Sequence, residues 1–503
     1  LGSPTIPVQP AVGVQPYSAV PYSVVPYSAM PYSGVPGPYG QVYGQPVTGY
    51  PYGPAMPGGP YRPNPWAPAP ARRGPLRWVA GIAAVVFMCS VLGIGGLVGY
   101  ADYAGALDTQ AAWKPGAQDV VASPPPAQNA PASEWSSWAR RSVGDEVADQ
   151  AKALLAGNEA GFLAVVDPTN AALVAEHKRR FKVLHAMGPG VWTQAVTGSL
   201  RTHDSRSWTA DIKIGYCFGA ATCSSVQLVV SSEWAYKNDR LVMVDLKPSD
   251  PQWNGPRPWE TDELTVLAGK RVVMAATKVN AWRLPDAVKS ADKAAQVADT
   301  LAKWEPPPSR YVIFLAGPDD WKKWYGHNQP EWAAAWAVPV SASVTEVVVR
   351  TQVVQQRGLE TLLTHELTHV TTLAGKRDGA GRSAWWLIEG IADYATMIGK
   401  QVRDYDAIPP TKAFVKNQWD GNPEVAAPSS AASLEEASAR YGVAFLAVRR
   451  ISDKYTQPKM LEFFGRIVHD NQDINAAAQA ALGAPWTTVS KDCATFIRSA
   501  VAA

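Results

Sequence analysis

From Trp78 to Tyr100 the chain reads "WVAGIAAVVFMCSVLGIGGLVGY", an apolar run without a charge and with aromatic residues at both ends. At ~1.5 Å per helical residue, such a run is long enough to cross the ~30 Å hydrocarbon core of a bilayer as one helix. It predicts a transmembrane helix and divides the chain into two parts with different folding problems. Arg62, Arg72, Arg73 and Arg77 precede the run, whereas Asp102 and Asp108 follow it. This excess of arginine predicts a cell-membrane protein crossing once, with its N-terminus cytoplasmic and residues 101–503 extracellular. The competing reading is a cleaved signal peptide, for which Ala104-Gly105-Ala106 would be the cleavage site. The run is too long for that and lies far from the first residue.

No charged residue occurs between Leu1 and Arg62, and a five-residue unit recurs as Pro16-Tyr17-Ser18, Pro21-Tyr22-Ser23, Pro26-Tyr27-Ser28 and Pro31-Tyr32-Ser33. Repeated prolines remove backbone donors and favour extended conformations, so residues 1–77 are read as a disordered tail. It serves either as a spacer or, through its tyrosines, in self-association or docking. After the apolar run, residues 101–133 are rich in Ala, Pro, Gln and Ser, including Pro124-Pro125-Pro126, and read as a linker.

The four arginines before Trp78 more than account for the net charge of +3, so the rest of the chain is close to neutral. A nucleic-acid binder needs a basic surface for phosphate contacts, so this near-neutral balance argues against one. Cys217, Cys223 and Cys493 are the cysteines beyond the apolar run. So few in a long exported chain imply stability from a core rather than from a disulfide framework. "YCFGAATCSS" places Cys217 and Cys223 across a short loop suited to a hairpin disulfide, although a bond from Cys493 to either of them is an alternative.

Residues 134–258 open with helical periodicity in "EWSSWARRSVGDEVADQAKALLAGN" and "NAALVAEHKRRFKVLHAM". Strand-like runs follow, the last of them turning at Lys237-Asn238-Asp239. This order of helices and then an antiparallel sheet is α+β, and it resembles the cone-shaped domain of the nuclear-transport-factor-2-like (NTF2-like) superfamily. It is read as a packing module or a ligand-binding accessory domain. Residues 259–503 start with new strand signals and end in helices, again α+β. Trp321, Trp324, Trp332 and Trp336 fall at helical spacing and are read as core or interface, with a glycan-binding surface as the alternative.

The chemistry lies in "GLETLLTHELTHVTTLAG". Leu359, Leu362, Leu363, Leu367 and Val370 make one helical stripe, and His365 and His369, four apart, share a face on its flank. Two imidazoles so placed reach one metal ion, while the adjacent Glu366 suits a base that holds a water without joining the ligands. In "WWLIEGIADYATMIG" Glu389 and Asp393 are also four apart, on a largely apolar helix where two carboxylates need a compensating cation or hydrogen bonds. Glu389 is the expected third ligand, and Asp393 the expected acceptor of a ring N–H, that of His365, which fixes its tautomer. Two histidines and a glutamate leave one position of a zinc ion open, the catalytic arrangement.

His365-Glu366-x-x-His369 followed by Glu389-x-x-x-Asp393 resembles the gluzincins, the thermolysin-like clan of zinc metallopeptidases. More closely, "LLTHELTHVTT" with "WWLIEGIADYAT" is similar to membrane-anchored peptidase-MA-like proteins of actinobacteria. The resemblance implies Zn²⁺ as cofactor, a peptide or protein substrate, peptide-bond hydrolysis with Glu366 as general base, and an edge strand that pairs with the substrate main chain. Thr345–Val354 is the strand expected in that role. The clan adds a side-chain donor to the oxyanion, for which Tyr441, at the start of an expected helix, is the first candidate and His469 the second. His177, His185, His203 and His327 have no partners at ligand spacing. The functional expectation is a zinc-dependent endopeptidase; the alternative is a silent zinc-binding surface scaffold or sensor. The sequence does not address the oligomeric state.

Overall fold

The computed structural model describes residues 124–502 except 220–222, 251–254, 327–331, 342, 353, 355–357 and 377–383. Near the start, α1 (Ala132–Leu155), α2 (Glu159–Leu163) and α3 (Ala171–Met187) precede a four-stranded antiparallel meander. The side chains of Asn158 and Asn170 accept from Gly161 N and Leu173 N and so start the second and third helices. The strands β1 (Pro189–Asp204), β2 (Ser207–Phe218), β3 (Val226–Lys237) and β4 (Arg240–Leu246) lie in sequence order. Asn238 and Asp239 connect the last two with positive φ of 49° and 57°, the backbone that a two-residue hairpin loop requires. Cys217 and Cys223 form a disulfide joining β2 to the approach to β3, while Cys493 is free and buried.

The second sheet contains β5 (Leu264–Ala268), β6 (Val272–Thr277), β7 (Tyr311–Ala316), β8 (Ala335–Pro339) and β9 (Thr345–Arg350), in the order β5-β6-β7-β9-β8. The strands β6, β7 and β9 are parallel to one another, and the two outer strands are antiparallel to their neighbours. Parallel pairing of β6 with β7 needs a crossover, which α4 (Leu284–Asp299) provides. Its buried stripe is Leu284, Ala287, Val288, Ala291, Ala294, Ala295 and Ala298, and the alanines let it lie close to the sheet and to the helix that carries the histidines.

Thr345–Val354 was expected at a sheet edge, but β9 lies between β7 and β8, and the outer strand is β8. The physical reason is visible in composition. Val347, Val348 and Val349 are buried on both faces, as an interior strand requires, whereas β8 ends in Pro339, whose missing N–H is tolerated at an edge. The four tryptophans do not share one helix either. Trp321 lies on a short helix and Trp336 on β8, and three of the four are buried.

The expected transmembrane helix is likewise corrected: no helix among the described residues is long and apolar enough to cross a membrane. The segment 78–100 lies outside the described residues, as do the tail 1–77 and residues 101–123. The long helices that are described, α1 among them, are amphipathic and carry charges on their solvent faces, which a hydrocarbon core does not tolerate. The fold class of the described chain is therefore α+β without a membrane span.

One hydrophobic cluster runs from Trp135 on α1 through the first sheet to Trp259, Phe314 and Trp324. Trp259 meets both Trp192 and Tyr216 edge to face at 5.4 Å. Beside them Glu346 of β9 accepts hydrogen bonds from Tyr216 Oη at 3.1 Å and from Tyr325 Oη, and Arg257 lies over the Tyr325 ring. Burial pushes the Glu346 carboxyl up, and Arg257 and the two hydroxyls oppose the rise. This network of neutral donors and one internal cation ties the two sheets together.

Candidate metal centre

Helix α5 (Leu359–Thr372) is buried along almost its whole length. Its leucine stripe faces α4 and the second sheet, which leaves its histidine face for α6 (Trp385–Thr396). The threonines on α5 need no outside partner, since Thr364, Thr368 and Thr372 donate to the carbonyls of Glu360, Thr364 and Thr368. Across from α6 runs α8 (Leu434–Tyr455), which follows α7 (Ile408–Asn417). At their crossing Gly390 has no side chain to intervene, and a Cβ there would lie 2.6 Å from the Ala444 carbonyl oxygen. The close approach depends on glycine.

His365 Nε2, His369 Nε2 and Glu389 Oε2 converge. The two nitrogens are 3.1 Å apart, and each is 3.2 Å from the carboxylate oxygen. Ligands held tetrahedrally at ~2.0–2.1 Å from one ion stand about 3.3–3.4 Å from each other, so this triangle has the dimensions of three corners of a metal site. Among the described residues it is the only group of histidine, cysteine and acidic side chains close enough to share an ion. Donor set and spacing both fit a metal held by His365, His369 and Glu389, with a fourth corner left over.

Asp393 lies one turn beyond Glu389, and its Oδ1 is 2.8 Å from His365 Nδ1. With the ring proton on Nδ1, the Nε2 lone pair faces the triangle. The other Asp393 oxygen accepts from the Tyr405 hydroxyl. His365, Glu366, His369, Glu389 and Asp393 are each at most 3% exposed, so three carboxylates and two imidazoles share a space without water's dielectric. Burial alone would push the His365 imidazole down, but the hydrogen bonds with Asp393 and Glu389 outweigh it and raise its pKa to about 10. Burial pushes Glu389 up, and the neighbouring His369 and His365 more than reverse this. The centre demands a positive charge, whether a proton or a metal ion.

Tyr441 lies in the second turn of α8 rather than at its start, fully buried, with its ring 6.1 Å from that of His365 and edge-to-face with Trp385 at 5.0 Å. Burial holds its hydroxyl protonated far above the usual range, so it remains a donor. His469 instead places Nε2 2.7 Å from the Thr372 carbonyl and stacks on Trp304 at 4.4 Å. It caps the end of α5, and its ring proton is taken up by that carbonyl.

The other described histidines are accounted for locally. His177 Nδ1 donates to Leu173 O, His185 stacks on Phe181, and His203 pairs with Thr209; His327 lies outside the described residues. Two members of the centre carry no sequence signal. Tyr405 follows Asp393 through a turn at no motif spacing, and Trp385 reads only as an apolar helix residue. Compared with known proteins, the chain matches no protein-family model and none of the curated proteins.

Proposed function

We propose that the chain is a zinc-dependent endopeptidase of gluzincin type. The observation that carries the reading is the triangle of His365 Nε2, His369 Nε2 and Glu389 Oε2 at 3.1–3.2 Å, with Glu366 adjoining the first ligand. A bound zinc ion would polarise the scissile carbonyl and lower the pKa of an attacking water towards ~7. His365, His369 and Glu389 hold the ion, and Asp393 keeps the His365 proton on Nδ1. Glu366 takes a proton from the attacking water as its oxygen bonds to the carbonyl carbon, and returns it to the amine nitrogen as the C–N bond breaks. Tyr441 donates to the oxygen that gains charge. The outer strand β8 offers main-chain groups to an extended peptide, the role first expected of Thr345–Val354. The Cys217–Cys223 disulfide supports an oxidising compartment for this part of the chain.

One observation favours a second reading, a zinc-binding scaffold without turnover. Glu366, the residue that would take the proton from water, is fully buried. Zinc content and cleavage of an unstructured protein by the purified chain decide between them. One zinc with cleavage, lost in Glu366→Ala while the metal stays, supports the peptidase. Zinc without cleavage supports the scaffold, and absence of zinc ends both.

A further inference from the structure

Tyr405 makes the second contact on the carboxylate that orients a metal ligand, and its own position is fixed from three sides. Its backbone N–H donates to Val402 O at 3.1 Å and its carbonyl accepts from Ile408 N at 3.1 Å, anchoring it between a short turn and α7. Its ring packs on Phe445 of α8, with centroids 4.4 Å apart. Held in this way, the hydroxyl donates to Asp393 Oδ2 while Oδ1 accepts from His365 Nδ1 at 2.8 Å.

A carboxylate's terminal torsion is broad and two-fold, so a single hydrogen bond leaves it free to rock. Two donors on its two oxygens set its plane. A carboxylate fixed in this plane stays aligned with the His365 Nδ1–H and so keeps the Nε2 lone pair aimed at the triangle with His369 and Glu389. We propose that Tyr405 is a positioning residue for the metal centre, acting on His365 through Asp393. This inference rests on the reading of the centre as a zinc site.

The test uses the full chain, Zn²⁺ and a competing chelator. Tyr405→Phe keeps the ring on Phe445 and removes only the hydroxyl, so a purely structural role would leave zinc affinity where it was. The expected result is zinc binding weaker by about 10- to 100-fold, the usual cost of removing an outer hydrogen-bond partner, with the metal-free variant still folded by circular dichroism at the temperature of the assay. Because Tyr405 acts through Asp393, adding Tyr405→Phe to Asp393→Ala should weaken binding little further. Asp393→Asn serves as the background should the alanine variant fail to fold. Equal affinity in wild type and Tyr405→Phe, or the same loss in both backgrounds, overturns the inference. Zinc binding by a wild type that cleaves nothing would end the peptidase reading and leave the affinity ratio to decide on Tyr405.

Discussion

His177 and His365 are both buried histidines on helices, yet they lie in regions that treat charge in opposite ways. His177 donates to a carbonyl of its own helix and has Arg180 nearby; burial and that guanidinium lower its pKa to about 4. His365 is as well buried, but two carboxylates face its two nitrogens and raise it to about 10. Burial expels charge in both places, and the sign of the neighbours decides which group keeps it. Around His177 the positive charge is already supplied by Arg180 and Arg179. The centre between α5 and α6 is balanced only when a cation arrives.

The sharpest way to break this contrast is chemical. Glu366→Ala should lower cleavage by about 10²- to 10⁴-fold, the range of general-base catalysis, with zinc content unchanged by metal analysis. Loss of zinc together with activity would make Glu366 part of the cation's cage rather than its base. Glu389→Ala removes one corner of the triangle, and the purified variant should contain no zinc after dialysis. A zinc-loaded Glu389→Ala would move the third ligand elsewhere.

Two pH experiments follow, one for each histidine. The folded pKa of His365 lies above its unfolded value of ~6.5, so in metal-free protein its stabilising contribution is complete below that pH and is lost as pH rises towards about 10. Zinc displaces the same proton, so zinc affinity should climb across that window, and a flat chelator-competition profile would contradict it. The folded pKa of His177 is depressed, so between ~6.5 and about 4 the unfolded chain binds the extra proton and stability falls as pH falls. The loss should be up to about 3 kcal/mol, and His177→Gln should reduce it. Urea midpoints at pH 7 and 4.5 that shift equally in both proteins would remove His177 from the account.

What could be read in advance follows from what is local. Four-residue spacing puts His365 beside His369, and Glu389 beside Asp393, on any helix, so the face each pair occupies was legible before the helices met. The Asn238-Asp239 turn was legible for the same reason. Tyr405 was not, because its distance from Asp393 depends on how the chain turns after α6 and on Phe445 lying beneath its ring. The exchange of roles between β8 and β9 was hidden because strand order is a property of the sheet and not of either segment. Glu346 reads as an isolated acid in a run of valines; its partners Tyr216, Arg257 and Tyr325 come from three separate segments.

Gly390 gives the centre a mechanical dimension. The proposed zinc ligands lie on α5 and α6, whereas Tyr441 lies on α8, and at Gly390 the helices α6 and α8 leave no room for a side chain, since a Cβ there would lie 2.6 Å from both the Ala444 carbonyl oxygen and the Val448 side chain. A single methyl group there acts as a shim. Because Gly390 adjoins Glu389 on α6, a wedge there would shift the carboxylate corner of the triangle and the tyrosine of α8 relative to each other, so the position of the proposed ligand and that of the proposed donor are set by one helix contact.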